Sequence, residues 1–241
     1  MSNALRQQYL EAMGIEVWRR RDAATAVVDV KCAPLADVTR ADTMVGEPQA
    51  TGDVATLDWS DLTARVAACT RCGLHTTRTQ TVFGVGNRTA DWLVIGEAPG
   101  AEEDKQGEPF VGRAGQLLNA MLFAIGLKRE QVYIANILKC RPPENRDPRP
   151  DEVACCEPYL FRQIELIQPK IILAVGRIAA QNLLKTDTAI GKLRGQLHHY
   201  GPQNTPVVVT YHPAYLLRSP GEKRKAWEDL LFACAVLRDA H

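Results

Sequence analysis

No stretch of this sequence approaches the roughly 18 consecutive apolar residues that cross a bilayer as a helix. Its first residues, "MSNALRQQYLEAMGIEVWRRR", lack the apolar centre of a signal peptide. Two nucleotide-binding signatures are missing as well. GxxxxGK[ST] does not occur, and "GVG" at 84–86 precedes a strand-like run, whereas a dinucleotide loop follows a strand and opens a helix. No internal repeat is present, and the net charge is only +1. These absences leave the expectation of a soluble, cytoplasmic protein with no membrane partner.

What is present begins with seven cysteines in 241 residues. An odd number leaves one unpaired in any disulfide framework. A chain of this length with 46% hydrophobic residues can build a core without such staples. Metal binding or simple burial is the better reading. The charge is also uneven. Residues 1–58 hold six Lys/Arg against nine Asp/Glu, and the remainder holds 23 against 19. The basic part includes "KCRPPENRDPR" and "RSPGEKRKAW", which suit phosphate contacts or a solvated loop surface.

Residues 4–21 place Leu5, Tyr9, Leu10, Met13 and Val17 on roughly one face of a helix. Residues 33–57 carry Pro, Gly, Thr, Asp and Ala without periodicity and read as a linker. The chain therefore divides into an extension, 1–57, and a main domain, 58–241. Within that domain Leu62 and Val66 mark a short helix leading into "CTRC". Strand-like runs at 91–97, 132–138, 170–176 and 206–212 then alternate with helical segments at 112–127, 151–168, 177–184 and 222–240. This alternation predicts an α/β fold with a mainly parallel sheet between two helical layers. Sites in such folds sit at the carboxyl ends of the strands.

Cys69 and Cys72 form C-x-x-C; Cys140 and the adjacent pair Cys155 and Cys156 follow. Four such thiolates suit zinc or a [4Fe–4S] cluster, and residue type does not choose between them. Neighbours on a helix point about 100° apart, so one of the doublet at most is expected to join the other three. Four prolines in "RPPENRDPRP" stiffen the connection. Cys32 and Cys234 read as core residues.

Other candidates lie at the predicted strand ends. Glu97, in "GEAPG", can position water, balance a cation or cap a helix. Glu102, Glu103 and Asp104 form a charge run expected at the surface. Phe110, in a Gly-rich loop, can stack on a planar ring or serve as a core contact. Asn136 interrupts an apolar strand, where its amide can read a base edge or be satisfied by backbone. His212 opens "HPAYLLR", whose Tyr215, Leu216 and Leu217 beside Arg218 form either a wedge against DNA or ordinary packing.

Taken together and in order, "GEAPG", "GEPFVGRAGQLL", "NILKCRPPENRDPRPDEVACCEPYL" and "HPAYLLR" closely resemble the family 4 uracil-DNA glycosylases, over roughly residues 58–241. The resemblance implies a three-layer α/β/α fold around a four-stranded sheet. It also implies a structural [4Fe–4S] cluster and the removal of uracil from single- or double-stranded DNA by a monomer that reaches the nucleoid through DNA. Matched by position, Glu97 lies near the catalytic water and Phe110 stacks on the flipped base. Ala98 belongs to the uracil pocket, Asn136 reads the base, and His212 meets its carbonyl. Leu216, Leu217 and Arg218 meet DNA. Cys69, Cys72, Cys140 and, because "CEPYL" fixes the register, Cys156 resemble the cluster ligands. A related uracil-binding branch carries a "KRRIH" insertion and "GEQPG"; neither occurs here, so turnover is expected. A broader deaminated-base glycosylase and a nonenzymatic metal-bearing DNA-binding module are the competing readings.

Overall fold

The computed structural model describes residues 54–239. The expected helix at 4–21, most of the linker and Cys32 lie outside them. Six strands form one sheet: β1 (Val85–Gly86), β2 (Trp92–Gly96), β3 (Tyr133–Asn136), β4 (Ile171–Val175), β5 (Leu197–Tyr200) and β6 (Thr205–Thr210). Their order is β1-β3-β2-β4-β6-β5. The four central strands are parallel, as their apolar runs predict, and β1 and β5 close the two edges antiparallel. The sheet is thus two strands wider than expected. β1 is two residues long, and β5 reads "LHHY" with only Tyr200 buried, so neither carries an apolar run.

Eight α-helices accompany the sheet among the described residues: α1 (Trp59–Ala67), α2 (Ala101–Gln106), α3 (Arg113–Ala124), α4 (Pro150–Ile167), α5 (Arg177–Leu184), α6 (Ile190–Leu193), α7 (Pro213–Arg218) and α8 (Lys223–Asp239). Strand side chains alternate between faces, and the core divides accordingly. Leu93, Ile95, Ala135, Ile172, Ala174, Val207 and Val209 pack with α4 and α5. Trp92, Val94, Ile134, Leu173, Val175 and Val208 pack with α3, α7 and α8. A sheet covered on both faces needs apolar residues at every position, which is why its strands read as unbroken hydrophobic runs.

The crossovers explain where a site can form. The chain leaves β2 toward β3 through α3 on one face. It leaves β4 toward β6 through α5 on the other. Right-handed connections running in opposite directions must use opposite faces. A crevice therefore opens beyond the carboxyl ends of β2 and β4.

A small third cluster fixes the N-terminal edge. Val54, Leu62 and Val66 pack on Tyr159 of α4, which brings the C-x-x-C segment beside that helix. Asp58 Oδ1 accepts from the Asp61 amide at 2.9 Å and caps α1. Packed structure thus reaches Val54, slightly ahead of the expected boundary at Asp58.

On the far side, Arg194 grips Asp229 of α8 through two hydrogen bonds of 2.7 and 2.8 Å. Its guanidinium also lies over the Tyr211 ring, 4.4 Å from the centroid. Asp229 is 2% exposed, so removing its partner leaves a buried carboxylate uncompensated. We expect Arg194→Met to lower stability by about 3 kcal/mol in urea unfolding. The double variant Arg194→Met/Asp229→Leu should recover much of that loss.

Candidate active site

A cleft of about 770 Å³ opens where the crossovers place it, lined by Glu97, Ala98, Phe110, Asn136, Arg177, Tyr211, His212 and Arg218 among others. Most of them come from the ends of the four parallel strands. Glu97 and Ala98 follow β2, Asn136 ends β3, Arg177 begins α5 after β4, and His212 follows β6. Backbone bonds continue past the strand ends. Ile137 N donates to Gly96 O at 2.9 Å and Leu138 N to Glu97 O at 3.0 Å, which fixes Glu97 relative to Asn136.

Asn136 is 2% exposed, and its Oδ1 is buried without a hydrogen-bond partner. An unmet acceptor at this depth costs about 1–3 kcal/mol. Its position in the cleft marks it as waiting for a donor. Gly96 makes room for it: a Cβ there would lie 2.5 Å from Asn136 Oδ1 and 2.6 Å from the Phe110 ring.

Phe110 has φ of +54°, a left-handed conformation disfavoured for a bulky residue. The surrounding loop holds it there. Glu103 Oε2 accepts from Gly100 N at 3.1 Å, and Oε1 accepts from Val111 N and Gly112 N at 3.0 and 3.1 Å. Arg129 donates to the Pro109 and Phe110 carbonyls. Asp104 is buried and accepts from Thr79 N. Glu103 and Asp104 therefore are not the surface charges expected; they build the loop. Glu102 does lie at the surface, paired with Lys105.

The Phe110 and His212 rings stack, 5.6 Å apart and 29° from parallel. A planar base between two rings needs about 7 Å, so a ligand must meet Phe110 from the cleft. His212 Nδ1 accepts from Ala214 N at 3.1 Å, which leaves the proton on Nε2. Burial, reinforced by the Arg218 charge, pushes its pKa down to about 4. His212 is thus a neutral imidazole with one N–H to offer. Glu97 is displaced the other way. Burial, reinforced by Asp147 and opposed by Arg177, raises its pKa to about 7. Asp147 and Arg177 pair at 2.6 Å where both line the cleft. Sequence reading missed this pair and Tyr211, since a single Asp in a loop and a single Arg opening a helix carry no pattern.

The helix after His212 needs one correction. Leu216, expected at a DNA face, is 0% exposed and belongs to the core with α3 and α8. Residues 215–218 form most of a helical turn, so only part of it can face outward. Tyr215 and Leu217 are exposed, and Arg218 is exposed at the cleft. The basic segment that follows is largely self-paired: Lys225 with Glu222, and Arg224 with Glu228.

A second, smaller cavity is lined by Cys69, Cys72, Cys140, Cys155 and Cys156, with Arg78 and Lys139. Cys140 and Cys156 are buried and the other three are half-buried. Burial pushes the Cys156 thiol up to about 12 and also raises Cys72 and Cys140. Arg78 Nη1 reaches Cys140 Sγ at 3.1 Å. Cys155 Sγ instead donates to the Arg71 carbonyl at 3.3 Å. Among the described residues no group of three or more Cys, His, Asp or Glu is placed to hold a single metal ion. The thiols nevertheless share one cavity, with cationic side chains suited to thiolates. That donor set fits a bound group which would deprotonate them. Cys234, as expected, packs against the core.

Comparison with known proteins identifies the family. A family model described as Uracil DNA glycosylase superfamily matches residues 83–231. Three relatives carry the name type-4 uracil-DNA glycosylase. The chain is 48% identical over 167 residues to that of Archaeoglobus fulgidus, covering 66% of this chain and 83% of the relative. It is 44% identical over 171 residues to that of Sulfurisphaera tokodaii, covering 68% and 78%. It is 47% identical over 157 residues to that of Thermotoga maritima, covering 64% and 81%.

The raised pKa of Glu97 has a consequence for stability. The folded state holds this proton more tightly than the unfolded state, so the associated stability is full below about pH 4.5 and is lost as pH rises through about 7. Glu97→Gln should therefore unfold at higher urea than the unaltered protein at pH 8, with the difference vanishing near pH 4. Asp147→Asn should lower the Glu97 midpoint seen by carboxyl NMR, and Arg177→Met should raise it.

Proposed function

The chain belongs to the uracil-DNA glycosylase superfamily, and from that premise we propose that it is a DNA-repair hydrolase of the type 4 class. It flips uracil out of DNA and cleaves the N-glycosidic bond, giving free uracil and an abasic site. The observation that carries this reading is the unpaired Oδ1 of Asn136 beside Phe110 and a neutral His212.

The steps follow from the groups present. Extruding the nucleotide costs a few kcal/mol, offset by backbone contacts and by stacking on Phe110. Asn136 Oδ1 accepts from uracil N3–H while its amide donates to O4. Cytosine offers the opposite pattern, a mismatch of roughly 1–3 kcal/mol. As the glycosidic bond lengthens, charge grows on uracil O2, and His212 Nε2–H donates to it. A neutral donor suits this role because it stabilises the departing anion without first protonating it. Glu97, once ionised, orients water and offsets the positive charge on the sugar. Burial keeps His212 neutral and delays the ionisation of Glu97 until about pH 7.

Cys69, Cys72, Cys140 and Cys156, which converge on one cavity, would hold the [4Fe–4S] cluster that the likeness to the type 4 enzymes implies. When bound, it cross-links the segment after α1, the segment after β3 and α4. The engagement of Cys155 with Arg71 supports Cys156 as the fourth ligand. Arg218, exposed at the cleft, would meet the DNA backbone, and the exposed Leu217 would fill the gap in the stack. Residues 58–241 form the glycosylase domain behind an extension, 1–57, and the enzyme acts as a monomer on single- or double-stranded DNA in the cytoplasm, at the nucleoid. Among the described residues no helix is long and apolar enough to cross a membrane.

Uracil release from labelled oligonucleotides tests the assignment. Asn136→Ala and His212→Ala should each lower kcat/KM by about 100-fold or more. Glu97→Gln should lose the limb in which kcat/KM rises with pH through about 7. Full activity in all three variants would overturn the reading. In purified protein Cys156→Ala should lose visible absorption and bound iron, whereas Cys155→Ala should keep both.

A further inference from the structure

β1 pairs with β3 over two residues only, Val85 with Ile134 and Gly86 with Tyr133. Continued, it would bring Phe83 opposite Asn136. The ladder stops instead at Gly84, whose φ is +146° and where a Cβ would meet the Tyr133 hydroxyl at 2.6 Å. Since Ile137 N points to β2, the preceding Asn136 carbonyl points the other way, to the edge that β1 has abandoned. A buried carbonyl there needs a donor.

Two side chains take the missing strand's place. Lys139 Nζ donates to Asn136 O at 3.0 Å and to Gln163 Oε1 at 2.6 Å. Gln163 Nε2 in turn donates to Phe83 O at 3.0 Å. Lys139 is 1% exposed and Gln163 is 0% exposed. Two donors suffice for Lys139, so the bridge forms whether its nitrogen carries two protons or three. Gln163 lies on α4, and the bridge therefore anchors the end of β3 to the helix beneath the sheet.

We propose that Lys139 is a positioning residue for base recognition: through Gln163 it holds the Asn136 backbone so that the Asn136 amide meets the uracil edge in one orientation. Nothing in base recognition touches Lys139 itself; it acts through Asn136. The proposal rests on the glycosylase reading and sharpens it. It explains why a lysine is sealed into a core where an apolar residue would pack at lower cost. A methionine could fill the space but could not satisfy the carbonyl.

The test uses the full-length protein with its bound cluster, a uracil-containing oligonucleotide and free uracil as an inhibitor. Lys139→Met should raise the inhibition constant of free uracil about tenfold and lower kcat by a similar factor, the scale of one misplaced hydrogen-bonding group. KM for DNA should stay within about twofold, because backbone contacts set it. Iron content should match that of the unaltered enzyme. In an Asn136→Ala background, Lys139→Met should change the uracil inhibition constant no further, the non-additivity of a coupled pair. Full additivity, or an unchanged inhibition constant in iron-replete Lys139→Met, overturns the proposal. Should Lys139→Met not fold, Gln163→Met decides: it removes the acceptor that orients Lys139 and should show the same pattern, while wild-type uracil affinity overturns the idea. An unaltered enzyme that neither releases nor binds uracil would overturn the glycosylase reading itself, a result distinct from any difference between variants.

Discussion

Two backbone hydrogen bonds past the ends of β2 and β3 carry the site. They run from Ile137 N to Gly96 O, the last bond of the parallel ladder, and from Leu138 N to Glu97 O just beyond it, where the chain turns. Glu97 and Asn136 are thereby held at a fixed spacing by the buried sheet. Loops between strands vary in length and mobility, but neighbouring strands of a fully buried sheet cannot slip without turning their side chains to the wrong face. His212 and Arg177 arrive from β6 and β4 by the same logic. The functional groups converge because parallel strands end together.

Electrostatics at that edge follow from its dryness. Glu97 and His212 are both pushed toward their neutral forms, one upward and one downward, by the same loss of water. The mouth is different. Asp147 and Arg177 pair in the open, where their mutual attraction is screened and small. An approaching phosphate can therefore compete for Arg177 at little cost. Permanent charge is thus kept at the rim, while burial at the floor favours the neutral forms.

The parallel core was legible because burial on two faces leaves each central strand a mostly apolar run. Asn136 and His212 stood out against that background as polar residues at strand ends. Cys69, Cys72 and Cys140 stood out by type, and the doublet needed the flanking "CEPYL" before Cys156 could be preferred. What escaped was whatever depends on tertiary geometry alone. The antiparallel edges are too short or too polar to register. Leu216 sits in a motif that reads as surface, yet its helical phase turns it inward. Glu103 and Asp104 look like solvent-facing acids until the loop closes over their carboxylates and presents amides to them. Lys139 lay between two noticed residues, and its bond to the Asn136 carbonyl shows only in the fold.

Gly96 carries a consequence of another kind. The space its missing side chain leaves is shared by the Asn136 amide and the Phe110 ring. Any other amino acid at that position displaces both at once, so substitution there cannot trade one substrate for another by small steps. On the proposed reading, base specificity is in that sense stored in an atom that is not there, and selection for a new substrate would begin at the rim, where Asp147, Arg177 and Tyr211 line the cleft.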